Sequence, residues 1–213
     1  MPRAIIVVDA QGPSGPLSGP GLERPSDRAT VDCRACSDRR RIVARMDRPP
    51  VKPRLRLARA GDAESIRAIY NVEVINSTVT FDMVPRTLDD QRDWIEAHAG
   101  AHPAVVAEVN EEVVAFGALG PYRSRPAYST TVEDSVYVHS DHRGRGHGKT
   151  LLVELVRLAG THGFHSMIAR VVGGHEASIT LHRSCGFELV GVEREVGRKH
   201  GRWLDVVVMQ RLL

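Results

Sequence analysis

The chain has 213 residues, 42% of them hydrophobic and 26% charged, with a net charge of +3. That is enough apolar material for one packed domain with an appendage, and no apolar run approaches the ~20 residues of a membrane span. Ile5-Ile-Val-Val8 is too short for a signal peptide, so a cytoplasmic protein is expected. Cysteines at 33, 36 and 185 give no disulfide framework, and Cys33-x-x-Cys36 lacks a second ligand pair for zinc, so no metal is expected. The basic surplus is confined to residues 1–53, which hold ten Arg/Lys against six Asp/Glu and leave residues 54–213 near −1. This removes the main argument for a nucleic-acid partner.

Residues 1–53 also carry eight of the twelve prolines and show no sustained periodicity, the composition of a disordered extension. Met46 leaves open a start-site artefact upstream of the domain. The domain itself is expected over 54–213. Arg54 to Arg59 alternates as a first strand. Gly61-Asp62 opens a helix with Asp62 as its N-cap and an apolar stripe of Ile66, Ile69, Tyr70 and Val74. Asn76 to Phe81 reads as a short extended segment. Thr87 caps a second helix, with Asp89 and Asp90 in its first turn and Trp94 and Ile95 facing inward. Ala104–Val109 and Val113–Leu119 form a hairpin about Asn110-Glu111. A cation- and aromatic-rich loop, Gly120 to Tyr128, leads to a strand from Thr131 to His139.

Glycines at 144, 146 and 148 follow that strand, and Leu151, Leu152, Leu155, Val156 and Leu158 then recur at helical spacing. Strand, glycine-rich turn and helix together offer unpaired N–H groups and a helix dipole to an anion such as a pyrophosphate. The spacing fits neither a Walker A loop nor G-x-G-x-x-G. After this come a strand at Ser166–Val172, a helix at His175–Arg183 ended by Gly186, and a closing hairpin. The hairpin comprises Phe187–Val196, a turn at Gly197–Gly201, and Trp203–Gln210. The order β-αα-β-β-β-α-β-α-β-β predicts an α/β (α+β) fold, a mixed central sheet with helices on both faces.

The run Arg143-Gly-Arg-Gly-His-Gly148 behind a glutamate-bearing strand resembles the acetyl-CoA motif of the GCN5-related N-acetyltransferases (GNAT). Ser77-Thr-Val-Thr-Phe81, Gly120–Tyr128, Glu133-Asp-Ser-Val-Tyr-Val138, Ser178-Ile-Thr-Leu-His182 and Lys199-His-Gly-Arg-Trp203 narrow the likeness to the phosphinothricin and methionine sulfoximine acetyltransferases. The resemblance implies acetyl-CoA as co-substrate, held by Val136, Tyr137 and Val138, by Arg143, Gly144, Arg145, Gly146, His147 and Gly148, and by His175. It implies Glu133 as the base for an acceptor amine and His182 as the acid for the thiolate, with a purely structural histidine the alternative at 182. Strand alternation puts Glu133, Ser135 and Tyr137 on one face and Asp134 on the other, which makes Asp134 the weaker candidate. Phe81, Arg123, Arg125, Tyr128, Lys199 and His200 are expected to form the acceptor pocket, the cations suiting an acid group.

The expected reaction is acetylation of the α-amine of a glutamate-like amino acid analogue, with resistance to such compounds as one use and a homodimer as the implied assembly. Two alternatives remain. One is an acetyltransferase of another amine: a polyamine, an aminoglycoside or a protein N-terminus. The other is a non-catalytic CoA-binding module with a nucleic-acid-binding arm.

Overall fold

A computed structural model describes residues 52–213. The expected extension and Cys33/Cys36 lie outside the described residues. Seven strands form one mixed sheet in the order β1-β2-β3-β4-β5-β7-β6. They are β1 Arg54–Leu57, β2 Ala104–Val109, β3 Glu112–Pro121, β4 Thr131–Val138, β5 Ser166–Val172, β6 Glu188–Lys199 and β7 Arg202–Leu212. The helices are α1 Ala63–Asn76, α2 Leu88–Ala97, α3 His147–Thr161 and α4 Glu176–Ser184. All pairings are antiparallel except β4 with β5.

Alternation along the strands divides the core between two faces. Val106, Phe116 and Tyr137 pack with Ile66, Ile69, Tyr70 and Val74 of α1 and Ile95 of α2. Val105, Ala115, Val132, Val136 and Val138 pack with Leu151, Leu152 and Leu155 of α3 and Ile179 and Leu181 of α4. Cys185 lies in this second cluster as a small hydrophobe, and burial pushes its thiol pKa up.

Local signals decide several ends. Thr87 Oγ1 accepts from the Asp90 N–H at 3.1 Å while the Asp90 carboxylate accepts from the Thr87 N–H at 2.9 Å, a reciprocal cap. Asn110 and Glu111 both take positive φ, 52° and 67°, as a two-residue hairpin turn of matching twist requires.

Three boundaries differ from expectation. Asp62 gives no side-chain cap to α1; its carboxylate instead accepts two bonds of 2.7 Å from Arg56 and one from the Arg59 N–H. Residues 77–81 form no strand, with bends at 78–80, because Ser77 turns back onto the end of α1, its hydroxyl donating to Glu73 O at 2.9 Å. The last hairpin turns at His200-Gly201, both at positive φ, so β6 extends to Lys199. Register slips at Leu189/Gly191 and Glu193/Gly197 absorb the extra residues.

Candidate active site

The site grows from one interruption in the sheet. β4 pairs with β3 along its length, from Pro121↔Val132 to Ala115↔Val138. With β5 it pairs only at Thr131↔Ser166, Val132↔Met167 and Glu133↔Ile168. Beyond that rung, among the described residues, β5 pairs with β7 alone, so the strands splay and the edge of Asp134–Val138 has no strand neighbour there. At the far end of β4 a 3-10 turn, Ser140–His142, leads into the glycine loop. Gly144 and Gly146 hold φ of 72° and 80°, a conformation that strains any side-chain-bearing residue. The first helical bond of α3 is Thr150 N–H to Gly146 O at 3.1 Å, so the N–H groups of Gly148 and Lys149 have no intrahelical acceptor. A backbone edge that lacks a strand and a helix N-terminus behind a glycine turn lie in series. That is the cradle an extended amide arm ending in phosphates requires.

The side chains of this loop are divided in their engagement. Arg145 is exposed. Arg143 instead turns inward: it pairs with the buried Glu73 of α1 and donates through Nε to Val138 O at 3.3 Å. Its guanidinium therefore ties the loop to α1, leaving only its backbone to line the loop. His147 is 3% exposed, its ring directed into the protein. His175 is the N-cap residue of α4; burial, then nearby Arg143, pushes its pKa down, and its Nδ1 is buried without a hydrogen-bond partner among the described residues.

On the opposite side of β4 lies a cavity of about 700 Å³ lined by the 82–86 loop, α2, the end of β3 and residues 133–135. Glu133 lines it and is 8% exposed. Arg86, Trp94 and His98 line it too, and no motif in the sequence marks any of them as an acceptor residue. The Arg86 guanidinium lies 3.9 Å from the Tyr70 ring centroid and 5.1 Å from that of Trp94, and donates to Gln91 Oε1 at 3.2 Å. Asp82 accepts from the Tyr70 hydroxyl at 2.5 Å and stands 3.9 Å from Arg86. Burial pushes the His98 pKa down, and Arg86 brings a guanidinium to the cavity lining. Helical spacing marks Trp94 as inward, but a cation held between two aromatic rings needs α1 and α2 in place.

The six expected acceptor residues are not in the lining of this cavity. Phe81 packs with Val172, Val206 and Val208 and lies against Gly197 of β6. Lys199 is 2% exposed and donates through Nζ to Thr80 O at 2.8 Å, clasping the loop after α1 to β6. His200 is exposed at the hairpin turn. Arg123 and Arg125 are exposed; Arg123 stacks over Tyr122 and Tyr128 at 5.0 and 5.5 Å. Their loop leaves β3 at Pro121, which does line the cavity. His182 is wholly buried, with both ring nitrogens near protein oxygens. That geometry favours the structural alternative at 182, since no face of the ring is open to a ligand. Among the described residues no cluster of three or more His, Cys, Asp or Glu could hold a metal ion. Nor is any helix there long and apolar enough to cross a membrane.

A splayed parallel pair with a glycine-led helix at its mouth could seat an extended ligand that ends in phosphates. Comparison with known proteins gives the class. Residues 55–208 match the family described as Acetyltransferase (GNAT) domain, and the chain belongs to it. It is 40% identical over 158 residues to an L-methionine sulfoximine/L-methionine sulfone acetyltransferase of Pseudomonas paraeruginosa, covering 73% of this chain and 92% of the relative. A GNAT superfamily phosphinothricin acetyltransferase from Sinorhizobium meliloti, solved in complex with AcCoA, superposes with TM-score 0.74 at 41% identity, covering 76% of this chain and 89% of that one. A structure described as ribosomal-protein-alanine N-acetyltransferase, from Brucella melitensis, gives TM-score 0.74 at 39% identity, covering 75% and 99%. The protein is thus an acetyltransferase with the mixed α/β architecture of its family.

Proposed function

We propose that the chain transfers the acetyl group of acetyl-CoA to the α-amine of a small amino acid analogue of the methionine sulfoximine, methionine sulfone or phosphinothricin kind. One observation carries the reading. Glu133 lines the cavity at the last rung before β4 and β5 part, so its carboxylate stands where an acceptor in the cavity would meet a cofactor in the splay.

Acetyl-CoA, when bound, supplies the acetyl as a thioester, whose carbon takes the amine's electron pair as the carbon–sulfur bond breaks. The chain's own residues do the rest. The backbone of Val136, Tyr137 and Val138 along the open edge would hold the extended arm. The backbone of Arg143, Gly144, Arg145, Gly146, His147 and Gly148, with the Arg145 side chain, would hold the pyrophosphate. His175 at the start of α4 flanks that loop. Glu133 takes the proton that an α-ammonium group carries at neutral pH, directly or through water.

Within the cavity Arg86 is the group suited to an acceptor carboxylate. Arg123 and Arg125, with Tyr128, would form a cationic rim on the loop after Pro121, and Phe81 from the loop after α1, packed against Gly197 of β6, would support the acceptor side with Lys199 and His200. In this reading the reaction runs in the cytoplasm, and its use includes resistance to toxic amino acid analogues. The assembly is a homodimer; exposed Leu189, Val190, Val192 and Trp203 on the edge hairpin support one.

The test is thiol release from acetyl-CoA with L-methionine sulfoximine, L-methionine sulfone, L-phosphinothricin, spermidine, an aminoglycoside and an alanine-initiated peptide as acceptors. Release with the first three, and a fall in kcat of about a hundredfold or more in Glu133→Gln, is the expected result. A Glu133→Gln enzyme within about twofold of wild type would remove Glu133 as the base. Release with spermidine or the peptide alone would replace the acceptor class.

A further inference from the structure

Asp134 is the first residue of β4 beyond its last rung to β5, and its side chain lies on the face opposite Glu133. It is 1% exposed, and its Oδ2 stands 3.2 Å from Nε2 of His182 on α4, itself 0% exposed. Across the ring, His182 Nδ1 is 2.7 Å from Ser178 O, one turn back in the same helix, and 3.5 Å from the Ser178 hydroxyl. A carbonyl oxygen only accepts, so Nδ1 carries a hydrogen and donates it. Nε2 and Oδ2 then face one another at bonding distance, and one hydrogen lies between them. The Phe187 ring stands edge-on to the imidazole, with centroids 5.1 Å apart. Asp134 Oδ1 is buried and has no hydrogen-bond partner among the described residues, where His182 is the partner of this carboxylate.

We infer that Asp134 and His182 are a pin across the foot of the β4–β5 splay, and that they act on the reaction by position. Past Glu133, among the described residues, no strand holds the β5-side edge of β4. α4 follows β5 through the turn at Gly173–His175, where His175 N–H donates to Val172 O at 3.2 Å. The Asp134–His182 bond therefore joins the two sides of the gap through groups that water does not reach. It sets how far apart the arms of the splay stand and keeps the backbone edge of Val136–Val138 at its distance from α4. A ring wholly enclosed and engaged at both nitrogens is placed for this role, and not to hand a proton to a departing sulfur. The inference rests on the reading that the splay receives acetyl-CoA.

The substitutions that separate the two roles are paired. Asp134→Ala and His182→Ala remove the pin. His182→Gln places an amide nitrogen near the position of Nε2, and Asp134→Asn keeps a polar partner for the ring; each retains a hydrogen bond across the gap without the ionisable pair. Acetyl-CoA affinity of the full chain is measured by calorimetry, and kcat at saturating acetyl-CoA is measured beside it. The alanine variants should bind acetyl-CoA about tenfold or more weakly, and the amide variants should restore affinity and kcat to within about threefold of wild type. Unchanged acetyl-CoA affinity in the alanine variants overturns the pin. So does a His182→Gln enzyme that binds normally yet loses kcat by about a hundredfold, because that pattern belongs to a proton donor.

The imidazole nitrogen resonances of the ligand-free protein give an answer independent of turnover and of alanine-variant folding. They should show hydrogen on Nδ1 and a hydrogen-bonded Nε2 whose signal changes in Asp134→Asn; a bare Nδ1 refutes the arrangement. If the wild type itself binds no acetyl-CoA, the proposed function and the pin's part in it both fail, while the nitrogen spectrum still reports on the bond.

Discussion

Gly197→Ala tests the packing of Phe81 against β6. Gly197 lies in β6 outside the left-handed region, so alanine adds no backbone strain there. The obstacle is steric. A Cβ at 197 would come within 2.9 Å of Phe81 Cδ2 and closer still to Cε2 and Cζ, so the ring covers the place the methyl would occupy. Either β6 shifts or Phe81 leaves its contacts with Val172, Val206 and Val208.

Overpacking of this kind costs about 1–3 kcal/mol, and expelling a phenylalanine forfeits a comparable amount of burial, about 1.5–3 kcal/mol. At roughly 2–4 °C per kcal/mol for a domain of this size, Tm should fall by about 5 °C. Thermal unfolding of the full chain followed by circular dichroism measures the shift. The Phe81→Ala background supplies the control: with the ring gone, Gly197→Ala should cost less than about 0.5 kcal/mol, a strong coupling between the two positions. A Gly197→Ala protein melting within about 1 °C of wild type, or fully additive costs in the double variant, would refute the reasoning.

Glu73→Gln removes the charge that holds Arg143 against α1. The released guanidinium loosens the loop before α3 and its hold on Val138 O, so KM for acetyl-CoA should rise about three- to tenfold with kcat nearly unchanged. A rise confined to the acceptor KM would show that the pair serves the other substrate. A further expectation concerns pH. His98, His102, His142 and His175 all have pKa values pushed below the ordinary 6.5, in each case chiefly by burial. As pH falls from 7, unfolded imidazoles take up protons before folded ones do, so the unfolded state binds more protons and gains. Stability should therefore decline from about pH 7 downward and level off once the folded rings protonate too. Tm values across pH 8 to 5.5 check the sign; a Tm that climbs as pH falls through 6.5 would contradict it.

Much of the architecture was legible in the chain because its causes are local. A valine-rich alternation, a glycine turn that demands positive φ and an apolar helical stripe define β4, the loop and α3 within some thirty residues. The same is true of the Thr87 cap and the Asn110-Glu111 turn. Alternation also assigned Glu133 and Asp134 correctly to opposite faces of β4.

What alternation cannot state is which distant residue meets each face, since that depends on how helices pack on the sheet. Arg143 reads from sequence as a phosphate ligand, yet its partner is Glu73, 70 residues earlier. Lys199 reads as a pocket cation, yet it is spent on Thr80 O, 119 residues away. Arg86 has no motif around it, and only the closure of α1 against α2 sandwiches it between Tyr70 and Trp94. The length of the β4–β5 ladder is likewise a tertiary decision, because hydrogen-bonding groups on a strand edge are the same whether a neighbour is present or not. The sequence by itself determined most of the elements, their order and the alternation that parts Glu133 from Asp134 on β4. The tertiary structure decided which charges were used up inside the protein and which gap was left open for a ligand.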